Sequence, residues 1–340
     1  MFNKIYVKTK DIFKKVYKTI ALSLIISSLL SLPVPYYIYM GGGISNIDEK
    51  VIIDQEKNKE GSFNLAFVKQ SSGMVATYLL SYLFPSWEVV SKQDLKEDNC
   101  MEKEIIENLD FIQRKMLEET NNMAIELAYR LAEKEIKIKK QQYYILYVLD
   151  SDNNPLKSND VLLSYDGIKI IDLLTFNNYI DTKQIGDTIN FTVKRKKEII
   201  NVKTKVKDME GEKKIGIGAF LLKEYETNPK VLFNFNADEV GSSGGLITTL
   251  GIYNKLVTDD ITKGLKIVGT GAIDSDGNVL SIDGVRHKVK GAVKNKADVL
   301  LVPSGKNYQE AMKIKKQKGY KINIIAVDSV LDAINKLKKL

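Results

Sequence analysis

The feature that most constrains the fold of this chain is an apolar run near its N-terminus. Ile20 to Met40 spans 21 residues without a charged side chain, and six lysines precede it within residues 1–18. A helix of about 20 apolar residues crosses a hydrocarbon core of about 30 Å, and lysines beside such a helix favour the cytoplasmic side. We therefore predict a cytoplasmic basic segment at residues 1–19 and a transmembrane anchor at 20–40.

A cleaved signal peptide is the alternative interpretation of this segment. The apolar run is longer than a signal-peptide core, and its outer end, Pro35-Tyr36-Tyr37, offers no Ala-x-Ala-like cleavage site. Tyr36, Tyr37 and Tyr39 instead suit the interfacial aromatic belt of a membrane span. We expect a single-pass protein of the cell membrane, with everything after residue 40 outside the cell.

Composition narrows the chemistry open to the chain. It has one histidine, His287, and one cysteine, Cys100. A Ser-His-Asp triad would have to use His287, and most zinc sites need at least two His or Cys ligands. We expect no metal and no cofactor, and a serine activated by a lysine is the pair that we favour for covalent catalysis. Cys100 is predicted to be a buried apolar side chain.

Charge and length set the broad class. The net charge is +8, but Lys and Glu are interspersed along much of the chain and no aromatic-basic recognition motif stands out, so we expect no nucleic-acid partner. The 340 residues are enough for about two domains.

Residues 41–140 form a strand and helical region. Its helical pattern from Glu102 to about Lys139, with Ile105, Leu109, Ile112 and Met116 on one face, predicts core packing.

Residues 141–210 have the order of strands around a short helix that is seen in PDZ domains. Ser158–Leu163, followed by Asp166-Gly167, resembles the Gly-Asp-x-Ile-x-x-x-Asp-Gly pattern of PDZ domains in bacterial proteases, and Asp166-Gly167 also predicts a hairpin-type turn. Asn159 stands in place of the first Gly, and no Gly-Leu-Gly-Phe-like carboxylate loop is recognised. From residue 211 to 340 strands alternate with helices, which predicts an α/β domain; Val299–Val302 is a buried-type strand ended by Pro303. The fold class is thus a mixed α+β and α/β multidomain protein.

Two segments of the last domain carry candidate chemistry. Gly241–Gly245, with Ser242 and Ser243 at its centre, precedes a predicted helix. Glycines permit close approach of a ligand, and free N–H groups at a helix start can hold an oxyanion. The alternative is a loop that only caps the helix and has no catalytic role. Lys288 would by itself be an ordinary surface charge. It becomes a base if burial lowers its pKa, and Thr270 would then accept a hydrogen bond from its ammonium.

These segments resemble the peptidase domain of the Lon family. That family has Gly-Pro-Ser-Ala-Gly around its serine, Pro-Ile-Gly-Gly-x-x-x-Lys around its lysine and Thr-Gly-Glu-Ile between them. Here Ser243 takes the nucleophile position, Lys288 follows 45 residues later, and Thr270–Ile273 lies between them. Ser242 and Gly244 replace the family's Pro and Ala, and Asp283 replaces a Gly. The whole chain is most similar to the membrane-anchored PDZ-containing Lon-like proteases.

The resemblance implies a Ser-Lys dyad of Ser243 and Lys288, supported by Gly241, Ser242 and Thr270. It also implies hydrolysis of peptides or exposed protein segments through an acyl-enzyme. The Gly-x-x-x-x-Gly-Lys-Ser/Thr phosphate loop is absent from the sequence. We therefore expect cleavage without ATP, and we do not expect a nucleotide-binding domain. A catalytically inactive membrane-tethered scaffold is the alternative function, and oligomerisation stays open.

Overall fold

The chain divides into two compact units. The computed structural model describes residues 2–54, 59–84, 87–92, 108–149, 153–209, 211–236 and 239–340, with side chains from residue 16 onward. Unit 1 comprises Met1–Gly41 and Val68–Cys100, and unit 2 comprises Gly42–Phe67 and Met101–Leu340. The chain passes from one unit to the other within two strands, β1 (Pro33–Asn46) and β3 (Ser62–Met74).

Unit 1 begins with helix α1 (Phe2–Leu30) and also holds helix α2 (Val75–Ser81) and strand β4 (Glu88–Ser91), which pairs antiparallel with β1. The transmembrane helix predicted at 20–40 is wrong in its outer half, because α1 ends at Leu30 and a strand follows. Pro33 and Pro35 have no N–H to donate within a helix, and the tyrosines beyond them favour strands. Over the part of the chain that the structure describes, no helix is both long enough and apolar enough to span a bilayer.

Helix α3 (Leu109–Leu131) opens the described part of unit 2 after residue 107. The helical pattern predicted to run to Lys139 ends earlier, since Glu133 has a left-handed φ of 54° and a strand begins at Glu135. The predicted stripe is confirmed at Ile112, which is buried, and is wrong at Met116, which is 37% exposed. Ile105 and the predicted filler Cys100 lie outside the described residues.

An antiparallel sheet with the order β12-β5-β6-β8-β9 follows α3, and β7 pairs with β6 beside it. Helix α4 (Leu173–Asp181) packs Phe176 and Ile180 into the core of this sheet. The predicted turn at Asp166-Gly167 is confirmed, because both residues have positive φ and join β6 to β7. The strands are β5 (Glu135–Val148), β6 (Val161–Tyr165), β7 (Ile168–Lys169), β8 (Thr188–Arg195), β9 (Glu198–Lys205) and β12 (Ile217–Asn228); β10 (Lys207–Met209) pairs with β11 (Glu212–Lys214).

Unit 2 also contains a parallel sheet, in which β3, β14, β17 and β18 are successive neighbours. All five residues of β17 are buried, as expected for a strand covered on both faces. The elements are β14 (Lys266–Gly269), β17 (Val299–Pro303), β18 (Asn323–Val327), α5 (Gly245–Leu256), α6 (Val285–Lys294), α7 (Lys306–Lys318) and α8 (Val330–Lys338), with the pairs β2 (Val51–Ile53)–β13 (Val231–Phe233) and β15 (Ala272–Ile273)–β16 (Val279–Leu280). This is the predicted α/β alternation.

Each of the two sheets includes a strand from outside the domain predicted for it, across the boundaries predicted at residues 140 and 210. Strand β3 joins the parallel sheet from the region before the PDZ-like domain, and β12 joins the antiparallel sheet from beyond it. Strand pairing connects segments far apart in sequence, so a change of local pattern does not mark the end of a sheet. Helix α3 packs Ala124 and Ala128 into the core that also holds α5, while its Glu126 contacts Tyr225 of β12.

Candidate active site

The serine loop, Gly241–Gly245, leads into buried helix α5. Gly241 has a φ of 89°, which favours glycine, and its N–H donates to the carbonyl of Gln113 on α3 over 3.1 Å. The Gly241 N–H is therefore engaged by α3. Among the described residues, the N–H groups of Ser242, Ser243 and Gly244 donate no hydrogen bond, so they are the donors left for an oxyanion.

Close packing fixes the point where the loop becomes a helix. A Cβ on Gly245 would lie 2.8 Å from Cγ1 of Ile273 and 3.1 Å from Cγ2 of Thr120. Only glycine fits this position without displacing β15 or α3. The first turn of α5 is thereby held against the strand that follows Thr270, and its exposed N–H groups carry the positive end of the helix dipole.

Thr270 lies directly after β14 and is fully buried. Its hydroxyl donates to the backbone carbonyl of Ser243 over 3.1 Å, and the N–H of Gly271 donates to the same oxygen over 2.8 Å. Sequence analysis expected the Thr270 hydroxyl to accept from the Lys288 ammonium. The observed partner is the nucleophile's own backbone, although a hydroxyl that donates one bond still has acceptor lone pairs.

Lys288 lies in the first turn of α6 and is only 5% exposed. Burial lowers its pKa to about 8, while the negative charge of Asp283 acts weakly in the opposite direction. The preceding Gly284 adopts a left-handed φ of 72° and its carbonyl accepts the Lys288 N–H, which starts the helix. This is the environment that a lysine needs to act as a base near neutral pH.

Separate contacts hold Ser243 and α6, the helix that carries Lys288. The Ser243 carbonyl is bound by Thr270 and Gly271, just beyond β14, whereas Val285 and Val289 of α6 share a buried cluster with Val268 of β14. In the described part of the chain no hydrogen bond joins the Ser243 hydroxyl to the Lys288 ammonium. Catalytic hydrogen bonds are often long before substrate is bound and shorten in the complex.

Asn307 positions the segment before Lys288. Its side chain accepts from the N–H of Ile282 and donates to the carbonyl of Ile282, each over 2.9 Å. Asn307 is 6% exposed and begins α7, far from the lysine motif in sequence. Sequence reasoning missed it, because a single Asn at a helix start is indistinguishable from an ordinary cap.

Glu239 positions the serine loop from its N-terminal side. Its carboxylate forms an ion pair with Lys50 at 2.7 Å and accepts hydrogen bonds from the Ser45 hydroxyl and the Asn236 N–H. The side chains of Lys50 and Glu239 are 14% and 23% exposed, so solvent screens this pair only in part. Sequence reasoning missed it because Lys50 lies 189 residues away.

His287 is buried beside Lys288, at 5% exposure. A Cβ on Gly42 would come within 2.4 Å of the His287 carbonyl oxygen, so the chain passes very close to α6 at this point. Within the described ranges, no group of three or more His, Cys, Asp or Glu side chains is placed to hold a metal ion.

Two solved structures are each similar to about a quarter of the chain. The PDZ domain of an SdrC-like protein from Listeria monocytogenes is 24% identical over 24% of this chain and 92% of its own, with a TM-score of 0.22. The second domain of the Listeria protein Lin2157 is 25% identical over 25% of this chain and 88% of its own, with a TM-score of 0.21. No curated protein shows significant similarity to the chain.

Family comparisons match two parts of the chain. Residues 135–206 match the PDZ domain family. Residues 237–339 match the Lon protease (S16) C-terminal proteolytic domain, a serine-protease domain that contains the serine loop, Thr270 and Lys288. A PDZ domain followed by this proteolytic domain identifies the chain with a PDZ-containing Lon-like protease family.

Proposed function

We propose that the chain is an ATP-independent serine endopeptidase that uses Ser243 and Lys288. The observation that carries the proposal is the burial of Lys288, which lowers its pKa to about 8, in a helix whose Val285 and Val289 share a buried cluster with Val268 of β14. The Ser243 carbonyl is bound by Thr270, just beyond the same strand. In the neutral form, Lys288 takes the proton of the Ser243 hydroxyl as its oxygen attacks the scissile carbonyl carbon. The protonated lysine then gives that proton to the leaving amine, which leaves an acyl-enzyme.

The loop supplies the second catalytic element. The N–H groups of Ser243 and Gly244 lie at the start of α5 and donate to no described group, so they suit the negative oxygen of the tetrahedral intermediate. Ser242 supports the same loop. Water later attacks the acyl carbon with Lys288 again as base, and the Ser243 hydroxyl is restored.

Independence from ATP is supported by the absence of a phosphate-loop motif anywhere in the sequence. Without an unfolding motor, the substrates would be flexible peptides or exposed protein segments. Strand β12 pairs with β5 on one side, and among the described strands none pairs with its other edge. An extended substrate can add to such an edge, so the PDZ domain is proposed to present substrates.

Membrane anchoring and an extracellular catalytic domain are part of the proposal. They rest on the six N-terminal lysines and on the uncharged residues from Ile20 to Leu30 that end α1. External protease added to intact cells should remove the proteolytic domain. Survival of that domain until the cells are lysed would contradict this topology.

The test of activity uses the full chain in detergent or vesicles and an internally quenched peptide library. Cleavage should proceed without ATP and disappear in Ser243→Ala, while Ser242→Ala keeps part of the activity. Cleavage that strictly requires ATP would point instead to a partner ATPase.

A catalytically inactive binding scaffold is the second candidate. It is favoured by Ser242 and Gly244, which replace the Pro and Ala of the resembling family's serine motif, and by the missing hydrogen bond between Ser243 and Lys288. A reactive-serine probe separates the two functions. Labelling of Ser243 supports the enzyme, whereas retained peptide binding without labelling or cleavage supports the scaffold.

A further inference from the structure

Unit 1 exposes a large apolar surface around α2. None of the seven residues of this helix is buried. Leu79 is 54% exposed, and Tyr82 and Leu83 are each 72% exposed. We call residues 74–84 together with Trp87 the aromatic tip. No charged residue occurs between Gln70 and Trp87, so the tip lacks the charges that ordinarily solvate a surface helix.

Ring stacking holds the aromatic tip in shape. Tyr36 of β1 stacks on Tyr78 at 5.1 Å between ring centroids, and Tyr78 meets the edge of Tyr82 at 5.6 Å. Phe84 stacks on Trp87 at 5.0 Å. The rings therefore form two stacked groups, on neighbouring residues of the chain, rather than isolated apolar side chains.

The aromatic tip adjoins the end of α1. The N–H of Val75, at the start of α2, donates to the carbonyl of Leu32 over 3.0 Å. Leu32 lies two residues after the end of α1, so this hydrogen bond holds α2 beside that end. Exposed apolar side chains lie all round the last turns of α1, since successive residues advance by about 100°. They are Ile20, Leu22, Leu24, Ile25, Ile26 and Leu29, with Leu32 just beyond them.

This distribution indicates what covers the surface. A protein partner or a second copy would cover one stripe of α1, whereas lipid covers every side of it. Tyr and Trp combine an apolar ring with a polar group and are enriched where hydrocarbon meets water. We propose that the aromatic tip docks into the interfacial layer of a lipid bilayer, as a second membrane contact beside α1. This contact is independent of the peptidase chemistry proposed above.

Trp87 is the only tryptophan of the chain, so its fluorescence reports on the tip alone. The full chain is reconstituted into phosphatidylcholine vesicles that contain lipids brominated near the headgroup. We expect the emission to shift to the blue and to be quenched by the brominated lipids. In Leu79→Ser/Leu83→Ser this quenching should fall about twofold or more, because two apolar contacts with lipid are lost.

The matched control changes two equally exposed apolar residues of the PDZ domain, Ile171→Ser/Ile199→Ser, which are 68% and 67% exposed. It should leave the quenching of Trp87 unchanged. Co-sedimentation with vesicles reports separately on α1, and peptide cleavage reports separately on the active site. Trp87 that is quenched by aqueous acrylamide and not by brominated lipid would overturn the proposal. Protection of Trp87 that depends on protein concentration without lipid would also overturn it, in favour of a contact between copies.

Discussion

The hydroxyl of Thr270 donates a hydrogen bond to the backbone carbonyl of Ser243 over 3.1 Å, from a position with no solvent exposure. The adjacent Gly271 N–H binds the same oxygen. The peptide unit that follows the candidate nucleophile is thus held by the end of β14. Its N–H, on Gly244, is one of the proposed oxyanion donors, so the orientation of the donor depends on Thr270.

We expect Thr270→Val to lower kcat about fivefold, since one neutral hydrogen bond contributes about 1 kcal/mol and its loss frees the Ser243–Gly244 peptide to rotate. Thr270→Ser keeps the hydroxyl and should retain most of the activity. The measurement is kcat and KM with a quenched peptide, together with the melting temperature. A lower kcat in Thr270→Ser than in Thr270→Val would show that the methyl group, and not the hydroxyl, matters.

Ser243→Ala should abolish peptide cleavage and labelling by a fluorophosphonate probe, because no other group in the loop takes the nucleophile position. Ser242→Ala is the control, since it keeps the loop and removes only the neighbouring hydroxyl. Full cleavage by a folded Ser243→Ala protein would exclude Ser243 as the nucleophile.

Peptide cleavage should rise with pH and level off above about 8, because the pKa of Lys288 is lowered to about 8 and only the neutral amine accepts the serine proton. Lys288→Arg should be as inactive as Lys288→Ala, since arginine does not deprotonate in proteins. Lys290→Arg, on the exposed side of the same helix, is the matched control. A pH profile without this rise, or activity in Lys288→Arg, would assign the base to another group.

The same burial makes Lys288 costly for folding. Its pKa is about 8 in the folded chain against an ordinary value of 10.5, so the unfolded chain binds more protons between these pH values and stability rises with pH across that window. Below about pH 8 the full cost is present, about 3 kcal/mol at about 1.4 kcal/mol per pKa unit. Lys288→Met should therefore raise the free energy of unfolding at pH 7, and the gain should shrink towards pH 10.5. Urea unfolding of both proteins at several pH values measures this, and a gain that does not change with pH would contradict it.

Glu239→Gln should lower kcat about fivefold with a smaller change in KM, because a partly buried ion pair contributes about 1 kcal/mol to holding the loop before Ser243. Lys50→Met should have a similar effect, and the double variant should be little worse than either single variant. The exposed pair of Glu212 and Lys214 provides the control, Glu212→Gln, which should leave kcat unchanged. Additive losses in the double variant would mean that the two residues act separately.

Local sequence patterns predicted much of unit 2. The buried run Val299–Pro303 and the Asp166-Gly167 turn depend on neighbours in the chain, and both are present in the structure. The outer half of the apolar run was predicted wrongly. Hydropathy alone does not distinguish a membrane helix from the strand that Pro33 begins, and strand pairing with Glu88–Ser91 requires the rest of unit 1.

The sequence by itself determined which residues are the candidates for chemistry, because the Gly-Ser loop and the Lys288 segment are local motifs with fixed spacing. Tertiary structure alone decided their environment. The pKa of Lys288 depends on its burial in the folded domain, and the Gly241 N–H is engaged because α3 brings the Gln113 carbonyl to it. Lys50 and Asn307 act on the loops from distant positions. Desolvation and hydrogen bonding arise from side chains that meet only on folding, so no local pattern encodes them.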